Sequence, residues 1–154
     1  MNVSVIMTAL DEPYVNRTID DVIRNSSIGT KLKEIIVIDD LSAEKIYHPD
    51  AKIIRNTERK GLIWGREEAS RIATGDIIVS LDPHCKVSGG WLSVISSKLE
   101  EDYRCIAVPL TKMLDPYTWE DINPTQKGLK TSWNWQLDFN WVNSPGRDTP
   151  SMAG

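Results

Sequence analysis

Glu34-Ile35-Ile36-Val37-Ile38 is a nearly unbroken β-branched run that stops at the acidic pair Asp39-Asp40. A strand with one wet face alternates apolar and polar residues, so an unbroken run reads as a strand covered on both faces, as in a parallel sheet. Asp76-Ile77-Ile78-Val79-Ser80-Leu81 repeats the pattern and also ends in an acid, Asp82, followed by Pro83 and His84. Buried strands that each deliver a carboxylate at their far end leave few architectures open.

The segments around them supply the connections. Val3 to Thr8 reads as a strand, and Val15, Ile19, Val22 and Ile23 recur at helical spacing after the start signals of Asp11-Glu12-Pro13. Lys52 to Arg55 gives a short strand, and Leu62 to Thr74 a helix with Gly75 suited to a left-handed cap. Trp91, Leu92, Val94, Ile95 and Leu99 mark the next helix, and Cys105 to Leu110 the next strand. This alternation predicts an open, mostly parallel α/β sheet flanked by helices, with ligands bound outside the carboxyl ends of the strands. From Thr111 onward Pro, Gly, Asn and Asp interleave with Trp119, Trp133, Trp135, Phe139 and Trp141 without a clean period. The expectation there is a loop-rich flap with one short helix around Trp133 to Phe139. The chain is thus read as one domain, 1–154, with a nucleotide-binding α/β core at 1–110 and the flap at 111–154.

Composition narrows the partners. With 154 residues, 40% of them hydrophobic, the chain has the size of one globular domain with a sizeable core. Lys plus Arg total 18 against 22 Asp plus Glu, and the net charge of −4 gives no basic footprint for nucleic acid. Cys85 and Cys105 are too few for a zinc cluster or a disulfide framework and are expected as reduced thiols in or beside strands. No stretch approaches the ~20 apolar residues of a membrane span, and no basic leader precedes the first strand, so the expected location is cytoplasmic.

Asp82 and His84 stand two apart at a strand end, where a turn brings a carboxylate oxygen and an imidazole nitrogen to one divalent ion. That pair suits Mn²⁺ better than an all-oxygen calcium cage, with Mg²⁺ as the alternative ion. A metal held by two protein groups keeps open positions for diphosphate oxygens and offsets charge on a departing nucleotide. The competing reading makes Asp82 a turn cap and His84 a surface histidine. Asp39 and Asp40 offer carboxylates for ribose hydroxyls or a uracil N–H, with one of them as a cap to the Ser42 loop instead. Arg55, Arg59, Lys60 and Arg66 gather positive charge near Gly61, where an arginine can grip phosphate bidentately or simply face solvent. The late tryptophans are either core material or a stacking platform. His48, before Pro49, reads as an ordinary surface residue.

Taken together, these segments resemble the polypeptide N-acetylgalactosaminyltransferases, a family 2/27-like branch of the transferases built on the Rossmann-like GT-A fold. The resemblance rests on Val5-Ile6-Met7-Thr8, on Leu32 to Asp40, on Arg59-Lys60-Gly61-Leu62-Ile63, on Leu81-Asp82-Pro83-His84-Cys85 with Gly90-Trp91-Leu92, on Ser132 to Trp141 and on Thr149 to Gly154. It implies that Thr8 and Asp40 contact uridine, that Arg59 contacts the donor, that Asp82 and His84 bind Mn²⁺, and that Ala153 and Gly154 face the donor sugar. Pro83 and Leu10 depart from the family, which has a small residue at the first position and commonly a histidine at the second. The resemblance also implies a short form, without the C-terminal part of the catalytic domain and the lectin domain.

The function expected is metal-dependent transfer from a UDP-sugar, with retention, to a polypeptide Ser/Thr or a saccharide, or hydrolysis where no acceptor is held. Donor binding is assigned to Thr8, Asp39, Asp40, Arg59, Gly61, Arg66, Ala153 and Gly154, the metal to Asp82 and His84, and no residue is assigned to catalysis. The alternative is a catalytically inactive UDP-binding module. A sugar nucleotidyltransferase would need a glycine-rich loop where Thr8-Ala9-Leu10-Asp11-Glu12-Pro13 stands, and a phosphorelay receiver would not account for the D-x-H segment.

Overall fold

The structure, a computed structural model, describes residues 1–26, 31–109, 111–122, 129–136 and 138–143. Two compact units are present, Met1–Ser97 and Lys98–Gly154.

In the first unit the expected order holds: β1 (Asn2–Ala9), α1 (Val15–Asn25), β2 (Lys31–Asp39), β3 (Lys52–Arg55), α2 (Leu62–Ile72) and β4 (Ile77–Ser80), after which α3 (Trp91–Glu101) begins. All strand pairs are parallel, in the order β3-β2-β1-β4. Every carboxyl end therefore lies along one edge of the sheet. Thr8 pairs with Ile38 and Ala9 with Asp39, which puts the acidic end of β2 level with the end of β1. The Leu81 N–H donates to the Ile6 carbonyl at 3.0 Å, carrying β4 to the same edge just before Asp82.

The apolar runs explain the burial. Val3, Val5, Ile6 and Met7 of β1 and Ile35 to Ile38 of β2 are buried, as strands covered on both faces must be. Ile6, Ile36 and Ile38 share a face and pack with Ala69 of α2, bordered by Ile54, Trp64, Ile72 and Ala73. On α1 the buried stripe is Val15, Ile19 and Val22. Each such aliphatic side chain contributes about 1.5–3 kcal/mol through burial.

Three features of the first unit differ from expectation. β4 is an end strand of the described sheet with Ile78 45% exposed, and not a central strand covered on both faces, because among the described residues it pairs with β1 alone. α2 stops at Ile72, where Ala73 takes an extended conformation, and Gly75 is not a left-handed cap. Gly75 is needed for close approach: a Cβ there would lie 2.6 Å from the Ser4 backbone nitrogen. His48 is buried, with Nε2 3.2 Å from Asp20 Oδ1 and Nδ1 accepting the Asp50 N–H at 3.1 Å.

The second unit departs further. Residues 105–109 form no strand, and Leu110 lies outside the described residues. Ile106 is 80% exposed and Pro109 has no N–H to give, so β propensity here is not matched by a pairing partner among the described residues. In place of a helix around Trp133, β5 (Leu129–Trp133) and β6 (Phe139–Asn143) form an antiparallel hairpin. Turn chemistry decides this: the Asn134 side-chain carbonyl accepts the N–H groups of Gln136 and Asp138, at 3.0 and 2.9 Å. Trp119 is buried and Trp135 fully exposed. Neither free cysteine lies in a strand. No described helix is long and apolar enough to cross a membrane.

Candidate functional site

The loops that leave the carboxyl edge of the sheet carry most of the residues singled out from sequence. After β2 the chain turns through Leu41, whose φ of 68° is left-handed, as is the 51° of Asp11 after β1. For a leucine this conformation costs roughly 1–2 kcal/mol, so surrounding bonds must hold it. They do: the Asp11 N–H donates to Ser42 Oγ at 3.0 Å, and the Ala43 N–H to Asp11 Oδ1 at 2.6 Å.

The adjacent acids have different environments. Asp39 is fully buried; its carboxylate accepts the Ser42 N–H at 2.8 Å and pairs with Arg55 Nη1 at 2.5 Å, while Arg55 Nη2 donates to the Ser42 carbonyl at 2.6 Å. Burial alone would raise its pKa, but hydrogen bonds from Ser42 and Arg55 and the arginine's charge outweigh it and hold the carboxyl low. Asp39 is thus the cap of the Ser42 loop, and Arg55 is its counter-ion.

Asp40 has a different set of partners, all from residues 56–61. One of its oxygens accepts the Asn56 amide at 2.7 Å and the Lys60 N–H at 2.8 Å, and the other the Gly61 N–H at 2.9 Å. Here too burial pushes the pKa up, and the bonds from Lys60, Asn56 and Gly61, with the charge of Arg59, bring it below its ordinary value. Asp40 is in this way the template on which the Arg59–Gly61 loop is folded. Gly61, with φ +85° immediately before α2, has nothing within 4 Å of where a Cβ would stand. A side chain there would be strained by φ alone.

Arg59 reaches toward Asp11, 3.6 Å away, and Lys60 Nζ lies 4.4 Å from the ring centroid of Trp64. Thr8, at the end of β1, is buried under α2. Its hydroxyl has no hydrogen-bond partner among the described residues, and a Cβ on Gly65 would meet Thr8 Cγ2 at 2.5 Å. Leu10, two positions after Thr8, is exposed.

At the end of β4, Asp82 Oδ1 accepts from Arg66 Nη2 of α2 at 2.7 Å, and His84 Nδ1 lies 3.0 Å from Glu12 Oε2. The loop itself is fixed by α1. Thr18 Oγ1 donates to the Pro83 carbonyl and accepts the Cys85 N–H, both at 3.0 Å, and Asp21 accepts the Val87 N–H at 2.9 Å. Burial, and then the charge of Asp82, push the Cys85 thiol up, away from a reactive thiolate.

Sequence reasoning did not single out Glu12, Thr18, Asp21 or Asn56. Thr18 carried one readable signal, since it stands in the apolar stripe between Val15 and Val22, where a polar residue needs a partner. Ala153 and Gly154 lie outside the described residues.

Of the residues singled out for a metal, Asp82 offers one carboxylate and His84 one imidazole. Among the described residues, no three His, Cys, Asp or Glu side chains converge as a cage. Oδ2 of Asp82 and Nε2 of His84 make no hydrogen bond to any described residue, and both side chains are about half exposed. This donor set fits an ion that keeps open positions and not a closed structural site.

Comparison with known proteins agrees with this architecture. The pattern of glycosyl transferase family 2 matches residues 4–143. Human polypeptide N-acetylgalactosaminyltransferase 3 is 32% identical over 98% of the chain, and a probable N-acetylgalactosaminyltransferase 6 of Caenorhabditis elegans 33% over 98%. The chain spans 28% of the length of each. Among solved structures, GalNAc-T7 with UDP, GalNAc and Mn²⁺ superposes with a TM-score of 0.80 at 26% identity, covering 96% of this chain and 31% of that one. S. aureus TarS 1–349 in complex with UDP-GlcNAc has a TM-score of 0.61 at 15% identity, covering 85% of this chain and 39% of that one, a likeness of fold. With a parallel sheet that brings its acids to one edge and a family pattern over nearly the whole chain, this protein has the GT-A fold and belongs to glycosyl transferase family 2, where it resembles the polypeptide N-acetylgalactosaminyltransferases.

Proposed function

We propose that the chain binds a UDP-sugar with Mn²⁺, or Mg²⁺ in its place, and serves retaining transfer of a hexosyl or N-acetylhexosaminyl group. The observation that carries this reading is the carboxyl edge of the sheet, where Asp82 and His84, the Arg59–Gly61 loop and Thr8 all lie at strand ends or on the loops that follow. The solved structure of GalNAc-T7 holds UDP, GalNAc and Mn²⁺, and that of TarS holds UDP-GlcNAc, which supports the same ligand class here.

The metal, when bound, offsets negative charge on the departing UDP. Asp82 Oδ2 and His84 Nε2 are the atoms that would hold it. Arg59 and Arg66 supply positive charge for the diphosphate, and the open space at Gly61 lets a ligand approach the start of α2, where backbone N–H groups favour anions. Thr8 offers its unpartnered hydroxyl to the uridine after a small rearrangement. Asp40 acts on the donor chiefly by holding the Arg59–Gly61 loop, and Asp39 by holding Arg55 and Ser42. Ala153 and Gly154 are assigned to the sugar. The acceptor is a polypeptide hydroxyl or a saccharide, with water in its place when none is held.

The second reading, an inactive UDP-binding module, draws on the Arg66 guanidinium that rests on Asp82 and on the two-donor metal set. A panel of UDP-sugars, with and without Mn²⁺, separates the two when UDP release is measured beside an Asp82→Ala variant. Release that needs both metal and Asp82 supports the transferase. Calorimetric UDP binding without release from any sugar favours the module.

A further inference from the structure

We infer that Glu12 is the positioning residue of the metal pair: its carboxylate fixes the tautomer and the rotation of His84, so that Nε2 is presented to the ion. This rests on the reading of Asp82 and His84 as metal ligands. Glu12 Oε2 lies 3.0 Å from His84 Nδ1, and Oε1 accepts the Tyr14 N–H at 3.2 Å just before α1. Both carboxylate oxygens are therefore engaged. The Glu12 side chain is 18% exposed while the His84 ring is 56% exposed, so the acid is the fixed partner and the ring the part that needs holding.

A carboxylate only accepts, so the Nδ1 contact puts a proton on Nδ1 and, in the neutral ring, leaves the lone pair on Nε2. Nε2 has no hydrogen-bond partner among the described residues. Below the ring, Thr18 holds the Pro83 carbonyl and the Cys85 N–H on either side of His84. Backbone and ring are thus fixed independently, one from within α1 and the other from its leading turn. An acid on the second nitrogen of a ligating histidine both orients the ring and raises its basicity, and removing such a partner weakens metal binding by about 10–100-fold.

The other histidine provides a control. His48 accepts the Asp50 N–H at Nδ1 and meets Asp20 at Nε2, which calls for the opposite tautomer. The chain has two histidines, so without metal one of each form is expected in a single imidazole ¹⁵N spectrum.

The experiment compares the full chain with Glu12→Ala and Glu12→Gln. It reads the imidazole ¹⁵N signals without metal, Mn²⁺ affinity by electron paramagnetic resonance, and UDP affinity without metal. The expected result is a loss of the Nδ1–H form at His84 but not at His48, Mn²⁺ binding weaker by about 10–100-fold in Glu12→Ala, partial recovery in Glu12→Gln, and unchanged metal-free UDP binding. Glu12→Gln keeps an acceptor in place, so it answers the question even if Glu12→Ala folds poorly. If the parent chain binds Mn²⁺ through Asp82 while both variants bind it equally well with His84 unaltered, the inference fails and the metal reading stands. If the parent chain binds no Mn²⁺, the metal reading itself fails and the inference with it, while the tautomer spectrum still reports whether Glu12 holds the ring.

Discussion

The Arg66 guanidinium rests 2.7 Å from Asp82 Oδ1, so the carboxylate assigned to a divalent ion is already in contact with a cation from α2. The two side chains are 43% and 52% exposed, and such a pair contributes only about 0–1 kcal/mol. Arg66 therefore competes weakly with the metal. Arg66→Gln is expected to tighten binding of Mn²⁺ alone, by about fivefold at most, and to weaken binding of UDP in the presence of Mn²⁺. Parallel titrations of the ion and of the nucleotide check the two signs; a variant that weakens both would show that Arg66 holds Asp82 in place.

Asp40 is expected to matter for stability and ligand together. Asp40→Ala leaves the Asn56 amide and the Lys60 and Gly61 N–H groups without their acceptor. An unsatisfied buried donor costs about 1–3 kcal/mol, so a total loss of about 2–4 kcal/mol is expected, with partial relief by water. Urea unfolding measures it. UDP affinity should fall as well, because the Arg59–Gly61 loop loses its template.

Acid should unfold this chain through a small set of carboxylates. Burial would raise Asp39, Asp40 and Glu34, yet hydrogen bonds and neighbouring cations bring each below its ordinary value. A lowered folded pKa gives stability that is present above the unfolded value near about 4 and lost as pH falls through the folded one. Stability should be level near neutrality and decline below about pH 4–5, with proton uptake on unfolding. Arg55→Ala should move the acid midpoint upward, because Asp39 stays buried without its counter-ion. Circular dichroism across an acid titration tests both; an unmoved midpoint would count against Arg55 as the partner that matters.

Gly65 and Thr8 should couple. Gly65→Ala pushes a methyl into the Thr8 side chain, where 2.5 Å is available, and overpacking of this kind costs about 1–3 kcal/mol. Thr8→Ala removes the opposing Cγ2 and the unpartnered hydroxyl, so the double variant should regain most of that loss. A thermal double-mutant cycle reads the coupling; strictly additive effects would mean that the strain relaxes through α2 instead.

The strands and helices of the first unit could be read residue by residue because their causes are local. Unbroken β-branched runs mark β2 and β4, helical spacing marks α1 to α3, and in a parallel sheet the acids that end those strands must share an edge. Local reading failed where a pattern had no partner or where a side chain competed with the backbone. Cys105 to Pro109 has strand-like composition but forms no strand, and the amide of Asn134 turned an expected helix into a hairpin. Of the site's polar wiring, the short-range cap of the Ser42 loop by one of the two acids could be read, but the long-range pairs could not: Glu12 meets His84 across 72 positions and Thr18 meets Pro83 across 65. No periodicity encodes such pairs, because they arise only when α1 packs beside the end of β4. Residue type and spacing thus announced which groups could do chemistry, while packing chose which of them stay available. It buried Asp39 against Arg55, spent Asp40 on a loop, and left Asp82 and His84 half exposed.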